Sequence, residues 1–176
     1  MVLRDFNLLA TTARGNEEDA CSEIWFLLGE TGDSAPQVEK TGITGLIAAK
    51  TASNPFDVIR KFRVILKERP YEFRYSLRVI PVEKVIRTDL SEIQRAVTEL
   101  ASPSKIEENE TFRITVEKRF TTTSTRDIIE AAAVNIERRV DLKNPDKIVL
   151  IEVVGGLTGI SIVKAEDILS TMKENL

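Results

Sequence analysis

Apolar positions along the chain change their period several times, and each change marks an element. Asp5 to Thr12 (DFNLLATT) reads as a strand. Asn16 follows as an N-cap, with an acidic first turn Glu17-Glu18-Asp19, and Ala20, Ile24, Leu27 and Leu28 recur at helical spacing up to Gly29. Trp25 and Phe26 in this helix read as packing residues. Gln37 to Lys50 reads as two short strands around a glycine-containing turn. Asn54-Pro55 then opens a helix with Ile59, Phe62, Ile65 and Leu66 inward, and Pro70 stops it. Glu72 to Ile80 alternates, with Phe73, Tyr75, Leu77 and Val79 on one face and Arg74, Ser76 and Arg78 on the other.

After Pro81 a second pattern begins. A helix from about Asp89 to Leu100 turns Leu90, Ile93, Val97 and Leu100 inward and ends before Pro103. A strand follows from Thr111 to Phe120. Ser124 then caps a helix, with Asp127 three residues on and Ile128, Ile129, Ala132, Ala133 and Ile136 inward. Its exit is the stretch VDLKNPD, Val140 to Asp146, where Asn-Pro-Asp is turn chemistry. Lys147 to Val154 is an apolar strand, Gly155-Gly156 a turn, Ile160 to Lys164 a returning strand, and Ala165 to Leu176 a closing helix with Ile168, Leu169 and Met172 inward. The order βαββαβ over residues 1–82 is that of a ferredoxin-like unit. The expected fold is therefore α+β, with a second α/β domain over residues 83–176.

Composition narrows the classes. The chain has 176 residues, 42% of them hydrophobic and 30% charged, which is enough apolar material for a core. No apolar run approaches the roughly 20 residues that a membrane helix needs, and the N-terminus does not read as a secretory signal, so a cytoplasmic protein is expected. The single cysteine, Cys21, and the absence of histidine remove the commonest metal ligand and general base. Neither a metal nor another cofactor is expected. The net charge is −3, but it is unevenly spread. Phe56 to Arg87 holds nine basic residues against four acidic, whereas the first forty residues hold three against eight. One basic surface on an acidic protein is thus allowed.

Three tetrads of the form GxxG, at Gly29, Gly42 and Gly156, lack the sequence context of phosphate loops and read as capping and hairpin glycines. Arg60, Arg63 and Lys67 share one side of the second helix, with Arg74 and Arg78 on the strand after it; a solvated face and a ligand surface both fit. The best anion-site candidate runs from Lys118 to Arg126 (KRFTTTSTR). There Lys118, Arg119, Thr123, Ser124 and Arg126 surround a helix N-terminus with its free N–H groups, and the alternative is a hydroxyl-rich capped turn facing water.

The stretches FRITVEK (Phe112 to Lys118), VDLKNPD and IVLIEVVGGLTGISIVK, with the helix from Ser124 to Ile136, resemble a THUMP domain, an RNA-binding module of tRNA-modifying proteins. Leu77 to Val82 (LRVIPV) and Ser161 to Lys164 (SIVK) are most similar to the stand-alone THUMP proteins that assist tRNA N4-acetylcytidine formation. The resemblance implies a non-catalytic subunit that holds the acceptor stem and 3′ end of tRNA for a separate RNA cytidine acetyltransferase. It points to Lys143 and Asn144 in VDLKNPD, together with Lys118, Arg119 and Arg126, as RNA contacts. Other THUMP proteins carry a fused methyltransferase, pseudouridine synthase or thiolation domain, for which no room is expected here. A self-sufficient acyltransferase and a small-metabolite sensor are weaker readings, since no motif supports either.

Overall fold

In the computed structural model, which describes residues 3–174, the first pattern closes into an antiparallel sheet. Its elements are β1 (Leu8–Thr12), α1 (Glu17–Glu30), β2 (Gln37–Lys40), β3 (Leu46–Lys50), α2 (Pro55–Glu68) and β4 (Ser76–Pro81). The strand order β4-β1-β3-β2, antiparallel throughout, is the ferredoxin-like arrangement. Asn54 starts α2 by accepting a hydrogen bond from the Phe56 N–H, and Pro55 occupies the first helical turn, where a missing N–H costs nothing. The buried stripes of α1 (Ala20, Ile24, Leu27, Leu28) and α2 (Val58, Ile59, Phe62, Ile65, Leu66) close over Leu8, Ala10, Ala49 and Val79 of the sheet. Each Val, Leu, Ile or Phe among them contributes about 1.5–3 kcal/mol by its burial. Gly45 is required where β3 begins: its φ is +75°, and a Cβ there would lie 2.8 Å from the Thr12 carbonyl oxygen.

Two expectations fail in this unit. β4 starts only at Ser76, after a 3₁₀ turn at Pro70–Glu72, and the clean alternation from Glu72 is absent: Ser76 is buried and Leu77 is 38% exposed. The cause lies on α1, where the Glu23 carboxylate accepts from the N–H groups of Arg74, Tyr75 and Ser76, holding that segment off the ladder. The register against β1 also shifts between Thr11 and Thr12. Trp25 and Phe26, read as packing residues, are 58% and 42% exposed, because they fall outside the stripe that α1 buries.

The second pattern folds as β5 (Lys84–Arg87), α3 (Leu90–Leu100), β6 (Thr111–Glu117), α4 (Thr125–Ala133), β7 (Arg139–Val140), β8 (Lys147–Val154) and β9 (Leu157–Val163). The sheet order is β5-β9-β8-β6-β7, with β6 parallel to both neighbours and the remaining pairs antiparallel. Ile93, Ala96 and Val97 of α3 and Ile128 and Ala132 of α4 pack on Phe112, Val149, Ile151 and Ile160. Leu90 and Ile129, expected inward, are each 37% exposed. The smaller Ala96 takes the inward position on α3 instead.

The closing helix is the largest departure. Ala165–Asp167 is a 3₁₀ turn, β10 (Leu169–Ser170) pairs with β4, and only α5 (Thr171–Glu174) is helical; the last two residues of the expected helix lie outside the described ones. Leu169 is fully buried beside Val79, Met172 is 68% exposed, and the Thr171 hydroxyl donates to the Ser76 carbonyl. The edge of β4 is open to another strand, and Leu169 packs beside Val79 there, so these residues join a ladder that their helical spacing does not advertise. The chain thus forms two compact units: one runs to Val82 and resumes at Glu166, and the other is Glu83–Ala165. Among the described residues no helix is long and apolar enough to cross a membrane.

Candidate functional site

Strand β6 organises the candidate residues of the second unit, because one candidate segment is fastened to each of its ends. At the N-terminal end, VDLKNPD turns on two carboxylates. Asp141 Oδ1 accepts from the backbone N–H groups of Lys143 and Asn144, and its own N–H donates to the Phe112 carbonyl. Asp146 Oδ2 accepts from the Thr111 N–H at 2.8 Å, and Arg113 donates to the Leu142 carbonyl. The N–H and hydroxyl of Thr111 hold the Asp146 carboxyl below the usual carboxylate range. The corner is therefore bonded internally, and Lys143 and Asn144 stand exposed on a fixed frame.

At the C-terminal end of β6, Lys118 to Ser124 leads into α4. The Ser124 hydroxyl accepts from the Asp127 N–H, as the capping pattern predicts, and Thr121 Oγ1 accepts from the Thr123 N–H. Lys118 is exposed, and its ammonium donates to the Thr123 carbonyl at 3.1 Å. Arg126 makes an exposed pair with Glu130 one turn along, which a phosphate can displace at little cost. Arg119 behaves differently: its guanidinium lies 2.9 Å from Glu152, a carboxylate 1% exposed on β8, so this cation is engaged inside the domain. Phe120 stands between them with a left-handed φ of 55° and 79% of its surface exposed.

The β8–β9 turn completes this end. Gly155 adopts φ +61° and donates its N–H to the Arg119 carbonyl, while Thr88 donates to the carbonyls of Gly155 and Gly156. Thr88, Phe120, Thr121, Thr122, Thr123, Gly155 and Gly156 line an open groove without a carboxylate. Hydroxyls, peptide groups and the neighbouring Lys118 suit hydrogen bonding and anion contact. They include no nucleophile paired with a base, and no cluster of metal-ligating side chains occurs among the described residues. Six intervals of strand separate the two ends of β6, about 20 Å. Lys143 therefore does not sit beside the Lys118 to Arg126 turn.

The basic residues of the first unit divide similarly. Arg60, Arg63 and Lys67 follow one side of α2, with Arg60 paired to Asp57 and Arg63 donating to the Ile168 carbonyl. Arg78 alternates with Val79, which packs under the helices, so it occupies the opposite face of the sheet. Arg74 precedes the strand, with its guanidinium 5.9 Å from the Tyr75 ring centre. The α2 stripe and Arg78 do not form one surface.

Residues 87–163 match the family model described as THUMP domain. This part of the chain is a THUMP domain. Its two candidate segments and the groove all lie within the matched residues. Solved structures share the fold more widely. PH1313 from Pyrococcus horikoshii Ot3 superposes with a TM-score of 0.66 at 18% identity, over 91% of this chain and 55% of that one. TrmN from Thermus thermophilus gives 0.60 at 18% identity, over 90% of this chain and 45% of that one. A 4-thiouridine synthetase solved with RNA and ATP gives 0.52 at 16% identity, over 91% and 42%. The chain spans about half the length of these proteins. No curated protein matches it in sequence.

Within the THUMP domain, the sequence did not single out Phe120, Thr88, Gly155 or Gly156 as part of a site. Phe120 was hidden because the expected strand ran as far as this residue, whereas β6 ends at Glu117 and leaves the ring on the turn. Thr88 and the glycines carried no signal, since they approach Phe120 only through the sheet order.

Proposed function

We propose that this protein binds tRNA through its THUMP domain and presents it to a separate cytidine acetyltransferase that forms N4-acetylcytidine, without catalysing the reaction itself. The observation that carries the reading is a THUMP domain whose carboxylate-free groove has the exposed cation Lys118 beside it. Folded RNA is recognised by shape and backbone more than by base edges, and such contacts need exposed cations and hydroxyls rather than a catalytic pocket. The likeness of LRVIPV and SIVK to the acetylation adaptors favours the acetyltransferase as partner, and the acceptor stem with the 3′ end as the part of tRNA held.

A second reading, a tRNA-binding subunit for methylation, thiolation or pseudouridylation, is favoured by fold neighbours that include a 4-thiouridine synthetase solved with RNA. Nucleoside analysis of tRNA from cells lacking the protein separates the two: loss of N4-acetylcytidine supports the first, and loss of a methylated nucleoside, a thiolated nucleoside or pseudouridine the second. Filter binding tests the common element. Salt-sensitive tRNA affinity, weakened several-fold by Lys118→Ala, is expected, and no affinity at low salt would sink both readings. Purified protein incubated with tRNA, acetyl-CoA and ATP should leave cytidine unmodified.

A further inference from the structure

The THUMP domain has two aromatic side chains, and they have opposite surroundings. Phe112 is 2% exposed within the core, whereas Phe120 is 79% exposed on a turn. Phe120 is also the one non-glycine residue with positive φ among those described, at 55°. Side chains other than Asn, Asp and Gly adopt this region at a cost, because the Cβ crowds the backbone. A phenylalanine here thus pays twice for no packing, whereas glycine would serve the turn better. The frame around the ring is polar: Thr88, Thr121, Thr122, Thr123 and the peptide groups of Gly155 and Gly156, with Lys118 exposed two residues back. The buried core of a protein-docking patch is apolar over several side chains, whereas this groove offers one ring. A lone ring among hydroxyls and amides, beside a cation, instead matches a flat ligand with polar edges and a phosphate.

We infer that Phe120 is a stacking platform for one unpaired nucleobase of the bound RNA, whose edge faces the Thr121 to Thr123 hydroxyls. This rests on the tRNA-binding reading above. It adds that affinity depends on an unpaired base, because a base within a duplex has no free face for the ring. Stacking on an aromatic is sequence-tolerant and, lost to alanine, typically weakens binding about ten-fold per base.

The test uses the full chain and three RNA probes carrying 2-aminopurine: a duplex with a single-stranded 3′ tail, a duplex with an internal bulge, and a blunt duplex. The wild type should bind the tailed or the bulged probe about ten-fold more tightly than the blunt one, with quenched fluorescence, and which probe gains tells whether the base comes from an end or a bulge. Phe120→Gly and Phe120→Ala should erase that gain, and Phe120→Trp should keep it. Phe120→Gly should also melt at or above the wild-type temperature, since glycine relieves the backbone. Equal binding of all three probes by the wild type overturns the stacking while leaving tRNA binding intact, and no binding of any probe overturns both. A Phe120→Gly protein that melts several degrees lower, or a wild type whose self-association disappears in Phe120→Gly, overturns it in favour of a structural ring or a contact between copies.

Discussion

The two ends of β6 carry cations of similar sequence appearance and treat them differently. At the N-terminal end, Asp141 and Asp146 take the N–H groups of the corner, so Lys143 and Asn144 project from a frame that is already bonded. At the C-terminal end, neighbouring cations diverge: Lys118 faces water, while Arg119 turns under the turn to meet Glu152. A charge run is therefore not a surface. Lys118 and Arg119 lie just past the end of β6, and the buried carboxylate on β8 captures only the cation that reaches it.

Breaking the buried pair should have the largest effect. Arg119→Ala removes the guanidinium beside a carboxylate that stays buried, and stability should fall on the order of 3 kcal/mol in denaturant titration. Lys118→Ala should leave the unfolding midpoint unchanged. Equal stability losses would mean that the two cations are not divided as described.

The next effect sharpens the contrast between the ends. If one RNA reaches both, Lys118→Ala and Lys143→Ala should each reduce the slope of log affinity against log salt by roughly one. If the groove end alone holds the RNA, Lys143→Ala should leave the slope untouched. Filter binding over a salt series distinguishes these outcomes.

The smallest effect concerns pH at the corner. Asp146 has a folded pKa below its unfolded value, because Thr111 hydrogen-bonds its charged form. Its contribution to stability is present above the unfolded carboxylate value of about 3.9 and is lost as pH falls through the lower folded one. Asp146→Asn should therefore flatten the acid side of the stability profile, read from thermal unfolding between neutral pH and the acid range, with little change at neutrality beyond a constant offset.

Local signals carried much of the fold. The inward stripe of α1, the Asn54-Pro55 start of α2, the Ser124 cap of α4 and the β8 run were legible because each rests on residues within a turn or two of one another. β5, β7 and β10 were not, since strands of two to four residues are too short for a period and exist only because β9, β6 and β4 offer them an edge. The same limit applied to the candidate site. Ser124 as cap and Lys118 as exposed cation could be read locally, but the engagement of Arg119 needed Glu152, thirty-three residues away.

Neighbouring residues alone set the two α/β patterns, the turn chemistry of VDLKNPD and the likeness to a THUMP domain, because propensity, capping and hydrophobic period act over a few residues. Tertiary structure alone decided that the C-terminal segment returns to the first sheet, that Lys143 and the Lys118 to Arg126 turn occupy opposite ends of one strand, and that Phe120 stands exposed in a polar groove. Those outcomes follow from which strand edges are unpaired and which faces are covered, and such long-range choices leave no period in the chain.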